Sequence, residues 1–265
     1  MRINHSAVQG VKESRRIGAA VLLILLLAGC VTGRSVSREK EARAHYQMGI
    51  SYLNENALQR AFVEFQKALE LEPKNKDYNY ALGHVYFDQG RYKEAEDSFR
   101  RVIKLDPSYS EAHNYLGYVL QTEGKTDAAL AEYQVALKNP LYETPQKPHY
   151  HIGTIYLARG QYVDATKEFQ EAIRLDSACI ELCIPAYNDL GKTYFQMGKL
   201  EEAVSAYQEA IKASPTYLEA HYNLALAYMK TGAKGQAAGE FRKVTELAPD
   251  SGEARESRKY LEALK

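Results

Sequence analysis

The chain has 265 residues, of which 45% are hydrophobic, and its 34 Lys plus Arg are balanced by 34 Asp plus Glu. That length and apolar content suffice for one or two domains with a buried core. The balanced charge offers no basic patch for nucleic acid, and no Gly-rich phosphate loop or nucleotide fingerprint is present.

From the N-terminus, Arg2, Lys12, Arg15 and Arg16 precede an apolar run from Ile17 to Ala28. The run falls short of the about 20 residues needed to span a bilayer. It has the size and flanks of a signal-peptide core. It ends in Leu27-Ala28-Gly29-Cys30, which resembles the bacterial lipoprotein box. That resemblance implies removal of residues 1–29 and acylation of Cys30. Val31, rather than Asp, follows the cysteine, which implies the outer membrane, on its periplasmic face. The mature chain would carry 30 basic and 33 acidic residues, too mild a charge to adhere to anionic lipid by itself. Acyl chains at Cys30 would do the anchoring. Residues 30–41 read as a polar tether, whose patternless part from 31 to 41 reaches at most roughly 40 Å.

Next comes a repeat with a small residue at Gly49, Gly83, Gly117, Gly153, Gly191 and Ala225, at intervals of 34, 34, 36, 38 and 34. An aromatic or apolar residue follows each one: Tyr52, Tyr86, Leu120, Tyr156, Tyr194 and Tyr228. Further on stand Asn56, Gly90, Gly124, Gly160, Gly198 and Gly232, then Ala61, Ala95, Ala129, Ala165, Ala203 and Ala237. Then come Phe65, Phe99, Tyr133, Phe169, Tyr207 and Phe241. Pro73, Pro107, Pro215 and Pro249 close four repeats. The spacings of three and four are helical. The Gly or Asn suits a left-handed helix end. The small residues let two helices approach closely, and the aromatic is expected to fill the space between repeats.

These features resemble the tetratricopeptide repeat. The repeats read 42–75, 76–109, 110–143, 146–179, 184–217 and 218–251, with 252–265 as a polar closing helix. The resemblance implies an all-α, right-handed superhelical solenoid over 42–265. The family's tryptophan is replaced by His45, Asn79, His113, His149, Tyr187 and His221. These are expected to be packing residues. One repeat position is spread along a stack, so its four histidines do not form a ligand cluster. No nucleophile, base and orienter set stands out. The expectation is no enzyme, no metal, no cofactor and no small-molecule substrate.

Cys179 and Cys183 bracket a four-residue insertion. In the oxidising periplasm a disulfide is the leading reading. A dithiol with catalytic chemistry is the alternative, and a metal site would need further ligands.

In this family the first helix of each repeat lines the concave face. Its positions two, five, nine and twelve give Tyr46, Ile50, Leu53, Tyr80, His84, Phe87, Asn114, Tyr118, Tyr150, Leu157, Asn188, Lys192, Phe195, Tyr222, Leu226 and Met229. The list suits an amphipathic helix or extended apolar segment of a partner protein, with several members packing on the next repeat instead. Asn188 and Lys192 alone approach a basic clamp for a terminal carboxylate.

One group of lipoproteins is more similar still. The lipobox, the polar linker, six repeats and the run Asn139-Pro140-Leu141-Tyr142-Glu143-Thr144-Pro145 resemble the pilotins of the type IV pilus secretin, the PilF/PilW/Tgl group. The resemblance implies a non-enzymatic assembly factor that binds secretin subunits and supports their multimerisation at the outer membrane. The alternative is a protease adaptor or other envelope-regulating scaffold.

Overall fold

The computed structural model describes residues 36–176, 178–179 and 182–264. Cys30, the apolar run and most of the tether lie outside them. Thirteen helices and no strand occur among the described residues. The chain divides into two compact units, one ending at Leu105 and the other running from Asp106 to Lys265.

The first unit holds α1 (36–54), α2 (Leu58–Leu71), α3 (Lys76–Asp88) and α4 (Tyr92–Leu105). Residues 36–41, expected to be tether, are helical and lengthen α1. The reason lies in α2, where Arg38 donates to the Glu70 carbonyl at 3.1 Å, satisfying one of the carbonyls that a helix end leaves open. Ala42 is fully buried with Ala68 and Tyr78. Asn75 caps α3 by accepting from the backbone N–H groups of Asp77 and Tyr78 at 3.0 and 3.3 Å.

The second unit holds α5 (Ser110–Thr122), α6 (Thr126–Ala136), α7 (Gln146–Ala158), α8 (Tyr162–Leu175), α9 (Cys183–Gln196), α10 (Leu200–Ala213), α11 (Leu218–Thr231), α12 (Lys234–Leu247) and α13 (Gly252–Ala263). Successive helices from α5 to α13 pack on one another, and α5, α7, α9 and α11 also form neighbouring pairs. The first helices of successive repeats therefore lie side by side. Ser251 caps α13 through its hydroxyl. Tyr260 of α13 stacks on Phe241 at 4.8 Å, closing the apolar side of the last repeat.

Five of the six repeats are closed by the same contact, and the sixth has Ala225 in the glycine's place. A Cβ built on Gly83, Gly117, Gly153 or Gly191 would lie 2.5–2.8 Å from the ring of Phe99, Tyr133, Phe169 or Tyr207, and Gly49 meets Phe65 the same way. The aromatic thus fills the inside of its own repeat, against the glycine of the preceding helix, rather than only the space between repeats. These rings are buried. The turn between the two helices has φ of +56 to +80 at Asn56, Gly90, Gly124, Gly160, Gly198 and Gly232. Glycine adopts this left-handed conformation without steric cost.

The histidines are packed as expected and carry a further role. They are half-buried or buried, and they act as hydrogen-bonding groups. Nδ1 of His45, His113, His149 and His221 lies 2.6–2.7 Å from a carboxylate oxygen of Glu64, Glu132, Glu168 and Glu240, each 19 residues on. The two repeats without the histidine also lack the glutamate, having Asn79 with Ser98 and Tyr187 with Ala206. In His113 and His221 the Nε2 atom also meets a carbonyl, of Pro107 at 3.1 Å and of Pro215 at 3.0 Å. The pair thus ties both helices of a repeat to the proline turn before it. At His221 both partners are acceptors, so both ring nitrogens must donate, which defines the imidazolium. Burial opposes that charge, but the bonds to Glu240 and to the Pro215 carbonyl outweigh it and raise the pKa.

In the longest interval, Cys179 and Cys183 are paired as a disulfide with Cα atoms 5.0 Å apart. Cys179 takes a φ of +51. The buried Asp176 carboxylate accepts from the backbone N–H groups of Leu182 and Cys183 at 2.7 and 2.9 Å. It thereby satisfies donors left open at the start of α9.

Two stability measurements follow from these contacts. Gly117→Ala should cost about 1–3 kcal/mol through overpacking against Tyr133, read as a lower urea midpoint. Glu240→Gln should cost about 1–2 kcal/mol at pH 6. Because the folded pKa of His221 is raised, its contribution is complete below the unfolded value of about 6.5 and lost as pH rises through the folded value. The gap between the wild type and Glu240→Gln should therefore narrow as pH rises through the folded value.

Candidate protein-binding groove

In the second unit, α7, α9 and α11 present one edge to a groove of about 530 Å³. It is lined by Leu157, Tyr162, Lys192, Phe195, Gln196, Tyr207, Asn223 and Leu226. Leu157 and Phe195 stand at position twelve of their repeats and Leu226 at position nine of the next, so the side-by-side first helices bring all three to one groove. Tyr207 reaches the groove from α10 because Gly191 leaves room for its ring.

A polar ladder crosses the same helices. Position five of one repeat meets position six of the next. Tyr150 donates to Asp189 at 3.0 Å, and Asn223 donates to Asn188 at 3.0 Å. Lys192 donates to Asp189 at 2.9 Å and pairs with Glu219, which also accepts from the Tyr217 hydroxyl at 3.2 Å. Burial raises the Asp189 pKa, with Lys192 and Tyr150 opposing the shift. Burial opposes the charge of Lys192, yet Asp189 and Glu219 raise its pKa overall. Lys192 is therefore held by two carboxylates, which removes it from a clamp for an incoming carboxylate.

The other inner-face residues divide by their contacts. Tyr46, Tyr80, Tyr150 and Tyr222 lean on the aromatic of their own repeat, Phe65, Phe99, Phe169 and Phe241, at centroid distances of 5.6–6.1 Å. They are as much packing as surface. Leu53 packs on the first unit's core, and Phe87 meets Tyr92 at 5.5 Å. Met229 packs on the core around Phe241. Asn114 and Asn188 are buried. Ile50 and Tyr118 are exposed. His84 lies edge-on to Tyr80 and Phe99. His151 stacks between Tyr118 and Tyr133, and burial pushes its pKa down to about 4. It is a neutral packing group.

Between α6 and α7, Asn139 accepts from the backbone N–H of Leu141 at 3.0 Å and donates to Ser110 at 3.1 Å. Tyr142 is buried while Leu141 is 85% exposed. The loop that breaks the repeat spacing thus displays one leucine beside an anchored tyrosine. Among the described residues no group of three or more His, Cys, Asp or Glu is placed to hold a metal ion. No described helix is long and apolar enough to cross a membrane.

Paired antiparallel helices stacked through one glycine–aromatic contact define a repeat protein whose surfaces suit protein binding. Tetratricopeptide-repeat profiles match residues 42–75, 80–148 and 218–251, and a TPR repeat profile matches 186–232. The chain belongs to the tetratricopeptide-repeat family. Its structure is similar to that of PilF from Pseudomonas aeruginosa, with a TM-score of 0.74 and 19% identity over 84% of this chain and 99% of that one. It is also similar to PilW, a widely conserved type IV pilus biogenesis factor, with a TM-score of 0.72 and 20% identity over 81% and 97% of the two chains. The Cut9 assembly of the APC/C gives 0.71 and 18% identity, over 89% of this chain and 45% of that chain.

Lys192→Met should leave Asp189 buried without its cation and cost about 1–3 kcal/mol at pH 7.5. The folded pKa of Asp189 is then further above its unfolded value, so stability returns as pH falls. Urea unfolding at pH 7.5 and 5 should show the smaller penalty at pH 5.

Proposed function

We propose that this chain is a lipid-anchored, non-enzymatic scaffold at the periplasmic face of the outer membrane that promotes assembly of the type IV pilus secretin. The observation that carries the reading is the match to two pilus proteins over nearly their whole length. The Cut9 assembly is covered over less than half. The lipobox at Cys30 and the loop at Asn139–Pro145 support the same reading. In this mechanism acylated Cys30 supplies location and the groove of the second unit supplies recognition. Leu157 and Leu226 offer apolar contact, while Asn223 offers an amide beside them. The fold needs no reacting group for this work.

The test is a deletion strain. Secretin should remain monomeric on denaturing gels, and surface pili should be lost. Leu157→Asp with Leu226→Asp should reproduce the defect while retaining the helical circular dichroism of the wild type, and Cys30→Ala should leave the protein soluble in the periplasm. Intact secretin multimers and pili in the deletion strain would falsify the reading.

A further inference from the structure

The groove of the second unit is apolar along one side and acidic at one end. Asn223 is shared with a neighbouring depression of about 420 Å³, lined also by Tyr217, Leu218, Glu219, Tyr222 and Glu253. Three carboxylates, Asp189, Glu219 and Glu253, therefore stand at or beside this end. The one ammonium among them, Lys192, is already shared between Asp189 and Glu219. The Glu219 side chain is 48% exposed, so it still faces an incoming group. Of the three basic residues of α13, Arg258 donates to the Pro249 carbonyl and Lys259 pairs with Glu256, while Arg255 lies near Gly252.

This arrangement discriminates between occupants by charge. A terminal or side-chain carboxylate arriving at Lys192 meets a cation whose charge is already compensated, with Glu253 nearby to repel it. An ammonium or guanidinium meets surplus carboxylate. Removing apolar side chains from water against Leu157, Phe195 and Leu226 supplies affinity, at about 25 cal/mol per Å² of buried apolar surface before ordering costs. The charge then sets register and partner choice.

We propose that the occupant of this groove is a peptide segment of a partner protein with apolar side chains for Leu157, Phe195 and Leu226 and an adjacent lysine or arginine that pairs with Glu219 and Glu253. This rests on reading the groove as the partner-binding surface. It specifies the chemistry of the bound segment and reverses the preference of a basic carboxylate clamp.

Selection of a random twelve-residue phage-displayed library on the purified full chain tests it. Enrichment of Lys or Arg next to Leu, Ile or Phe is expected. A fluorescein-labelled peptide of the leading sequence should bind about tenfold more weakly to the Glu219→Gln, Glu253→Gln double variant. It should also bind more weakly at 0.5 M salt. Glu253→Gln alone, which changes an exposed side chain, should give part of the loss with an unchanged thermal midpoint. Enrichment of acidic peptides, no enrichment over the starting library, or equal binding by the charge variants would overturn the proposal. Secretin multimers in the deletion strain report separately. If they depend on the protein while the basic preference is absent, only the proposed occupant falls. If the preference is present and the multimers are independent of the protein, only the pilus reading falls.

Discussion

Glycine against an aromatic ring is the constraint on which five of the six repeats depend, and in the sixth Ala225 shares a buried cluster with Phe241. Gly83 against Phe99 and Gly117 against Tyr133 leave no space for a methyl group. The first helix can therefore come close enough for the second to bury its alanine stripe, Ala95 or Ala129, completely. Because the same contact recurs, the helices of the first five repeats meet in the same way. In the second unit this recurrence brings α7, α9 and α11 side by side. Leu157, Phe195 and Leu226 line one groove because of that alignment, although they are far apart in sequence.

The helical fold was legible because its determinants are local and periodic. The glycines and Asn56 mark turns, and the alanines and aromatics mark the buried stripe. Residues 36–41 were missed because they have no apolar period of their own. Their helix is supported by Arg38 reaching the end of α2, a contact that local pattern does not encode. The His–Glu pairs were also missed, although a signal existed. Glutamate stands 19 residues after the histidine in the repeats that have one and is absent from the two that do not.

Inner-face position alone identified Leu157, Lys192, Phe195 and Leu226 at the groove. It passed over Tyr162, Gln196, Tyr207 and Asn223. Tyr207 belongs to the buried aromatic stripe of a second helix, and Asn223 stands at the position that joins one repeat to the next. Their two roles coincide only in three dimensions. Lys192 shows the converse: its position is readable, but its neutralisation by Asp189 and Glu219 needs two repeats to be superposed.

The closing contacts have a temporal meaning as well as a spatial one. Gly83 meets Phe99 and His113 meets Glu132 inside one helical hairpin, so such a hairpin can dock without waiting for distant chain. Short-range topology of this kind favours rapid folding. A polypeptide fed through a narrow pore from its N-terminus would thus be able to consolidate progressively, with little unpaired chain exposed at any moment. Its terminal helix, whose Tyr260 covers Phe241, would arrive last and seal the trailing end.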